Sequence, residues 1–247
     1  MSLYRYSHLD RYRQIVRVFA RHGFGYLVDQ AGLAGLLSFR DRLRHRKDGS
    51  HERLTRGARV RRAFEELGPT FVKLGQVLST RPDLVPADIA GDLEGLQDKV
   101  PTESFEDIRR IVEQDLGRPL EVVFATFEKE PMAAASIGQV HRAVLRSGED
   151  AAVKVQRPDI ARRIETDLEI MADLASVLEK RTRWGKFYRL TGTGEAFSRT
   201  IRAELVYTSE GQNAHRVMRN FAGVSVDGKT RRDCKASLPA GAPQDVG

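Results

Sequence analysis

The chain has a single cysteine, Cys234, among its 247 residues. No internal disulfide can form, so packing and hydrogen bonds must hold the fold, as suits a reducing, cytoplasmic setting. No run of about 18 apolar residues occurs, and no membrane-spanning helix is expected. The opening stretch MSLYRYSHLDRYRQ lacks the apolar segment of a secretory signal. The six histidines, at 8, 22, 45, 51, 141 and 215, show no metal-ligand spacing, and no metal site is expected. Zinc-finger spacing, an aromatic RNA-stacking motif and a clear helix-turn-helix are also missing, so nucleic acid is not expected as a partner.

What is present describes an ordinary globular protein, 40% apolar and 30% charged, long enough to bury a sizeable core. Its charge is uneven. Residues 1–62 hold 15 Lys and Arg against 5 Asp and Glu, whereas the remainder is slightly acidic. The surplus of positive charge reads either as solvated helix faces or as attraction to an anionic membrane surface. Four segments follow from the patterning. A basic helical leader and linker cover 1–59, with the linker at 44–57, and a helical extension covers 60–126. A strand-and-helix region covers 127–223. The tail 224–247 has no sustained period and is expected to be disordered.

Within the extension, Gly68-Pro69 opens a helix, and Phe71, Leu74 and Leu78 give it a buried stripe. Lys73 and Gln76, three apart, lie on a similar side. Residues 102–116 read as an amphipathic helix stopped by Gly117, and PLEVVF as a short helical segment. Residues 127–132 and 138–146 then read as strands joined by an alanine-rich loop. A third strand, AAVKVQ, places Val153 and Val155 on one face and Ala152, Lys154 and Gln156 on the other. A long helix follows Pro158, then a Gly- and Thr-rich loop at 184–194, then a final helix carrying Glu204 and Glu210. Glu165 and Asp167 imitate a two-carboxylate spacing and read as surface charge; His141 reads as a strand residue rather than a base.

Strand, tight turn, strand, turn, strand with a lysine, then a helix with a glutamate is the order of a protein-kinase N-lobe. A strand lysine there contacts nucleotide phosphates and a helix carboxylate fixes the lysine. Three segments carry a more specific resemblance: LGPTFVKLGQVLSTR at 67–81, AAASIGQVHRA at 133–143 and AAVKVQRP at 151–158. In order and type they resemble the AarF/UbiB atypical kinases linked to coenzyme Q biosynthesis, over about residues 60 to 223. The resemblance implies an α+β fold in which a kinase-like N-lobe, a small antiparallel sheet with helices, is joined to an N-terminal helical extension. It makes Ala133, Ala134, Ala135, Ser136, Ile137, Gly138, Gln139 and Val140 the loop that covers the nucleotide, in place of a glycine-rich loop. Lys154 resembles the phosphate-contacting lysine and Glu210 its helix partner. Lys73 and Gln76 resemble the family's own motif, and Glu204 the first acid of an E-x-D motif whose second place is taken here by Val206.

The implied cofactor is ATP or ADP with Mg2+. The implied role is a nucleotide-binding kinase or ATPase supporting ubiquinone synthesis, with nucleotide, quinone-biosynthesis proteins and an anionic membrane surface as partners and a cytoplasmic or peripheral membrane location. No catalytic loop His-x-Asp with a downstream Asn and no Asp-Phe-Gly occur, so the C-lobe is expected to be absent. The chain then reads as a frameshifted or truncated form that does not complete phosphoryl transfer alone. The competing expectation is a non-catalytic interaction module that docks through residues 1–62.

Overall fold

The structure is a computed structural model and describes residues 8–37, 54–96, 101–207, 211–212, 216, 225–226 and 229–230. In chain order the elements are α1 (His8–Phe19), α2 (Gly25–Gln30), α3 (Arg56–Leu67), α4 (Pro69–Ser79), α5 (Ala87–Leu93), α6 (Phe105–Leu116), α7 (Leu120–Val123), β1 (Phe124–Phe127), β2 (Ala133–Ala134), β3 (Gly138–Leu145), β4 (Asp150–Gln156), α8 (Ile160–Arg181), α9 (Arg183–Tyr188), α10 (Leu190–Leu205), β5 (Ser225–Val226) and β6 (Lys229–Thr230). They form two compact units. One comprises residues 1–98 with 161–201; the other comprises 99–160 with 202–247. The units cut across the sequence segments: the helices at 105–123 belong with the sheet, and residues 161–201 belong with the leader.

The first unit is helical. Thr55, inside the expected linker, caps α3 by accepting from the Ala58 amide at 3.0 Å, so the helix starts at Arg56. Gly68 then ends α3 and begins α4 in one step. Its φ of 95° is open to glycine at no steric cost, and Pro69 takes the first helical position. Ile15, Val18, Ala63, Phe64, Leu67, Phe71, Leu93, Leu96 and Ile170 make the core. Phe71 is buried as the helical stripe predicts, and Leu74 and Leu78 pack against its margin. α1 of the basic leader is therefore built into this core through Ile15 and Val18.

A buried charge cluster fixes that arrangement and corrects one sequence reading. Asp167 is fully buried, not surface charge. Its carboxylate accepts from Arg11 Nε at 2.6 Å, Arg11 Nη2 at 2.9 Å and Thr70 Oγ1 at 2.7 Å. Arg11 Nη2 also donates to the Leu67 carbonyl at 2.8 Å, and Nη1 to Gln14 at 2.8 Å. A carboxylate in an apolar core is tolerated only when its acceptor sites are met, and here three donors meet them. Glu165 is half-buried on the same helix.

The expected loop at 184–194 is helical instead. Thr182 caps α9 by accepting from the Gly185 amide at 2.9 Å. Arg189, at φ 47°, turns the chain into α10, and the free Thr191 amide finds the Glu179 carboxylate at 2.8 Å. Glycine content suggested a loop, but side-chain caps satisfy the first-turn amides and the helices form.

In the second unit β3 is central. β4 pairs along one edge from Gly138↔Gln156 to Val144↔Asp150, and β1 and β2 pair end to end along the other, all antiparallel. α6 packs Ile108 and Val112 with Leu120, Phe124, Ala143 and Val155. Its start is capped by Ser104, which accepts from the Asp107 amide at 3.2 Å, and Gly117 ends it at φ 64°. The strand expected at 127–132 runs instead over 124–127, and Ala133-Ala134 of the supposed loop form β2, opposite Val140 and Gln139. In the tail, Ser225–Val226 pairs with Lys229–Thr230 as a minimal hairpin, and the rest of 224–247, including Cys234, lies outside the described residues.

Candidate nucleotide-binding site

The alanine segment is a strand end followed by a tight turn. The Ala135 amide donates to the Gly138 carbonyl at 2.8 Å and the Met132 amide to Val140 at 2.8 Å, so the turn proper is Ala135 to Gly138. Ser136, Ile137, Gly138 and Gln139 are buried, Ala134, Ala135 and Val140 half-buried, and Ala133 exposed. The Ser136 hydroxyl is buried without a hydrogen-bond partner. Gly138 has a steric reason: a Cβ there would lie 2.6 Å from the Val155 carbonyl oxygen, with the Tyr207 hydroxyl closer still.

Lys154 stands directly opposite Val140 across the β3–β4 ladder, so its side chain shares a face with the strand that leaves the turn. It is exposed. Its Nζ lies 4.4 Å from the centroid of the Tyr207 ring, a cation–π contact worth about 0.5–1 kcal/mol at an exposed position. Tyr207 in turn donates from its hydroxyl to the Ile137 carbonyl at 3.5 Å. Gln156 Nε2 donates to the Leu205 carbonyl at 2.5 Å and ties the end of α10 to β4. The lysine and the alanine turn are thus gathered around one tyrosine that the sequence reading did not single out. Its only sequence signal is its place one residue after Val206.

Behind the turn runs a buried polar chain. Arg157 donates from Nε to the Ala135 carbonyl at 3.1 Å and from Nη1 to Glu103 at 2.5 Å, while its backbone amide reaches the Ile137 carbonyl at 3.1 Å. Gln139 accepts from the Glu103 amide at 2.9 Å and contacts His141 Nε2 at 2.8 Å; His141 Nδ1 lies 2.8 Å from the Glu128 carbonyl. His141 is fully buried, a structural strand residue with its ring tilted against Phe127. These bonds explain why the segment spells Gln and His where apolar residues would pack more cheaply.

Lys73 and Gln76 lie half-buried on α4 of the helical unit. The glycine between them has a packing role: at Gly75 a Cβ would lie 2.8 Å from the Phe64 ring carbon Cδ2, so its absence lets α4 approach α3. Glu204 is half-buried on α10 and Val206 is 49% exposed just beyond it. Glu210, expected to hold Lys154, lies outside the described residues. Among the described residues no group of three or more His, Cys, Asp or Glu is placed to hold a metal, and no helix is long and apolar enough to cross a membrane.

A twisted antiparallel sheet with an exposed strand lysine beside a tight turn, and a helix packed behind it, has the form of a kinase-like N-lobe. The profile of the ABC1 atypical kinase-like domain matches residues 95–228, and the chain belongs to that family. It is 44% identical over 215 residues to "Probable protein kinase UbiB" of Cellvibrio japonicus, covering 85% of this chain and 38% of that protein. To the protein of the same name in Marinobacter nauticus it is 46% identical, covering 68% and 31%. It is 41% identical to "Uncharacterized protein sll1770" of Synechocystis, covering 66% and 28%. The chain thus spans well under half the length of these relatives. Among solved structures, the complex of Rv3197 with erythromycin from Mycobacterium tuberculosis matches 61% of this chain and 38% of its own, at 27% identity and a TM-score of 0.44.

Proposed function

We propose that the sheet unit binds ATP or ADP with Mg2+ and that the chain belongs to a kinase- or ATPase-like protein supporting ubiquinone biosynthesis. The observation that carries this is the placement of Lys154 opposite Val140, on the strand face next to the Ala135–Gly138 turn. A triphosphate needs a fixed cation, and a solvent-facing lysine braced by an aromatic ring supplies one. The residues fit the ligand chemically: Lys154 would meet the phosphates, and the segment 133–140 would cover them. Within the turn, the Ser136 hydroxyl is buried without a hydrogen-bond partner. Bound nucleotide with its metal would supply the transferable phosphoryl group and the charge neutralisation. This chain's residues hold and screen it. Lys73, Gln76 and Glu204 are proposed as the family-specific positions and Glu210 as the partner of Lys154.

The competing role is docking through residues 1–62. Of the described cations there, Arg11 is committed to buried Asp167, and Arg21 is paired with Glu66 at the surface. The test of the nucleotide reading is the thermal midpoint of the purified chain with and without magnesium-nucleotide. Ligand at about 100 times its dissociation constant adds roughly 2.7 kcal/mol to a folded state that alone binds it. The midpoint is expected to rise; an unchanged midpoint for both ADP and ATP in a cooperatively folded sample refutes the reading.

A further inference from the structure

The turn that covers the proposed nucleotide site is built from alanines, which lack the backbone freedom of glycine, so something outside the turn must set its position. Sheet pairing accounts for only part of it: β2 ends at Ala134 and β3 begins at Gly138. Between them the turn's carbonyls at Ala135 and Ile137 are both taken by one residue, Arg157, through its Nε at 3.1 Å and its own backbone amide at 3.1 Å. Arg157 is only 8% exposed. Its guanidinium is held in turn by Glu103 at 2.5 Å.

Glu103 is itself anchored. It precedes Ser104, the cap of α6, and its amide donates to Gln139 at 2.9 Å. The turn is therefore connected, carbonyl to guanidinium to carboxylate, to the start of a packed helix. Guanidinium Nη2 is buried without a partner, so Glu103 is the only carboxylate with a described bond to this cation, and its removal leaves a buried positive charge uncompensated.

We infer that Arg157 and Glu103 form a strut that sets the position of the Ala135–Gly138 turn, making both positioning residues for nucleotide affinity. The inference rests on the nucleotide reading of this site. With the strut intact the turn is ordered before nucleotide arrives, and binding does not have to order it. With the strut cut the turn samples other positions, and that ordering cost is subtracted from affinity. The sheet below is held by its own ladder and does not need the strut.

The test uses the full chain and compares wild type with Glu103→Ala, Glu103→Gln and Arg157→Lys. Two readouts are taken: deuterium exchange of the 133–140 segment against the 150–156 strand, and titration with fluorescent N-methylanthraniloyl-ADP and magnesium. In Glu103→Ala, exchange of the turn is expected to rise about tenfold or more while the strand is unchanged, and affinity is expected to fall by about fivefold. Glu103→Gln keeps an acceptor for Arg157 but not the compensating charge, and is expected to recover part of both. Arg157→Lys, which cannot reach Ala135 and Glu103 with a planar fork, is expected to loosen the turn even where Glu103→Ala fails to fold. Turn exchange and affinity within about twofold of wild type in every folded variant would overturn the strut. A wild type that binds no labelled nucleotide, with the turn still loosened in the variants, would instead overturn the nucleotide reading and with it the effect on affinity.

Discussion

Asp167 offers the sharpest test of how the helical unit is held. Its carboxylate receives two bonds from Arg11 and one from Thr70, and both charged side chains are nearly sealed from water, at 6% and 0% exposure. Asp167→Ala removes the acceptor and leaves the Arg11 guanidinium buried with only neutral partners, Leu67 and Gln14. Breaking a buried pair from one side typically costs about 3–5 kcal/mol. Thr70→Val deletes only one hydrogen bond to a charged group, about 1.5–3 kcal/mol. Because the penalty comes mostly from the stranded partner, Arg11→Met with Asp167→Leu should cost less than the two single changes added together. Urea unfolding followed by circular dichroism gives each value from the midpoint shift. A loss under about 1 kcal/mol in Asp167→Ala, or strict additivity in the double variant, would refute the reasoning.

Gly138→Ala should destabilise the sheet by about 1–3 kcal/mol, because the new Cβ meets main chain at Val155 that cannot turn aside; urea unfolding unchanged from wild type would contradict the steric reading. The start of α10 should be pH-sensitive. Glu179 is held below its ordinary pKa first by the Thr191 amide that bonds it. A depressed folded-state pKa means this stabilisation is present above the unfolded value and is lost as pH falls through the folded one. The Thr191 amide resonance should therefore move on acidification below the usual glutamate range, and in Glu179→Gln that transition should disappear.

The sequence made some elements legible because one local signal decided them. Gly117 stops α6, Gly68-Pro69 opens α4, and the alternation in AAVKVQ marks β4 and separates Lys154 from Val153 and Val155. Other features depended on partners distant in the chain. Asp167 reads as surface charge until Arg11, 156 residues away, and Thr70 are brought to it. LTGTG reads as a loop until Thr182 and Glu179 cap the two helices that meet there. Ala133-Ala134 carries no strand signal, and pairs only because β3 offers an edge that β1 leaves uncovered. At the candidate site the lysine and the alanine segment were visible as motifs. Tyr207 and Glu103, which brace them, were not, since a tyrosine and a glutamate before a helix cap are common in any sequence; Arg157 lies inside the AAVKVQRP motif, but nothing in the sequence marks it out from its neighbours there.

The central claim is that Lys154, beside the alanine turn, holds the phosphates of a bound nucleotide. Calorimetric titration of Mg-ADP and Mg-ATP into the wild-type chain and into Lys154→Ala tests it directly. Saturable binding that weakens at least about tenfold in the variant, a loss of about 1.4 kcal/mol, is the result expected for a lysine that meets phosphate. Equal affinity in the two folded proteins, or no binding in the wild type, would contradict the claim.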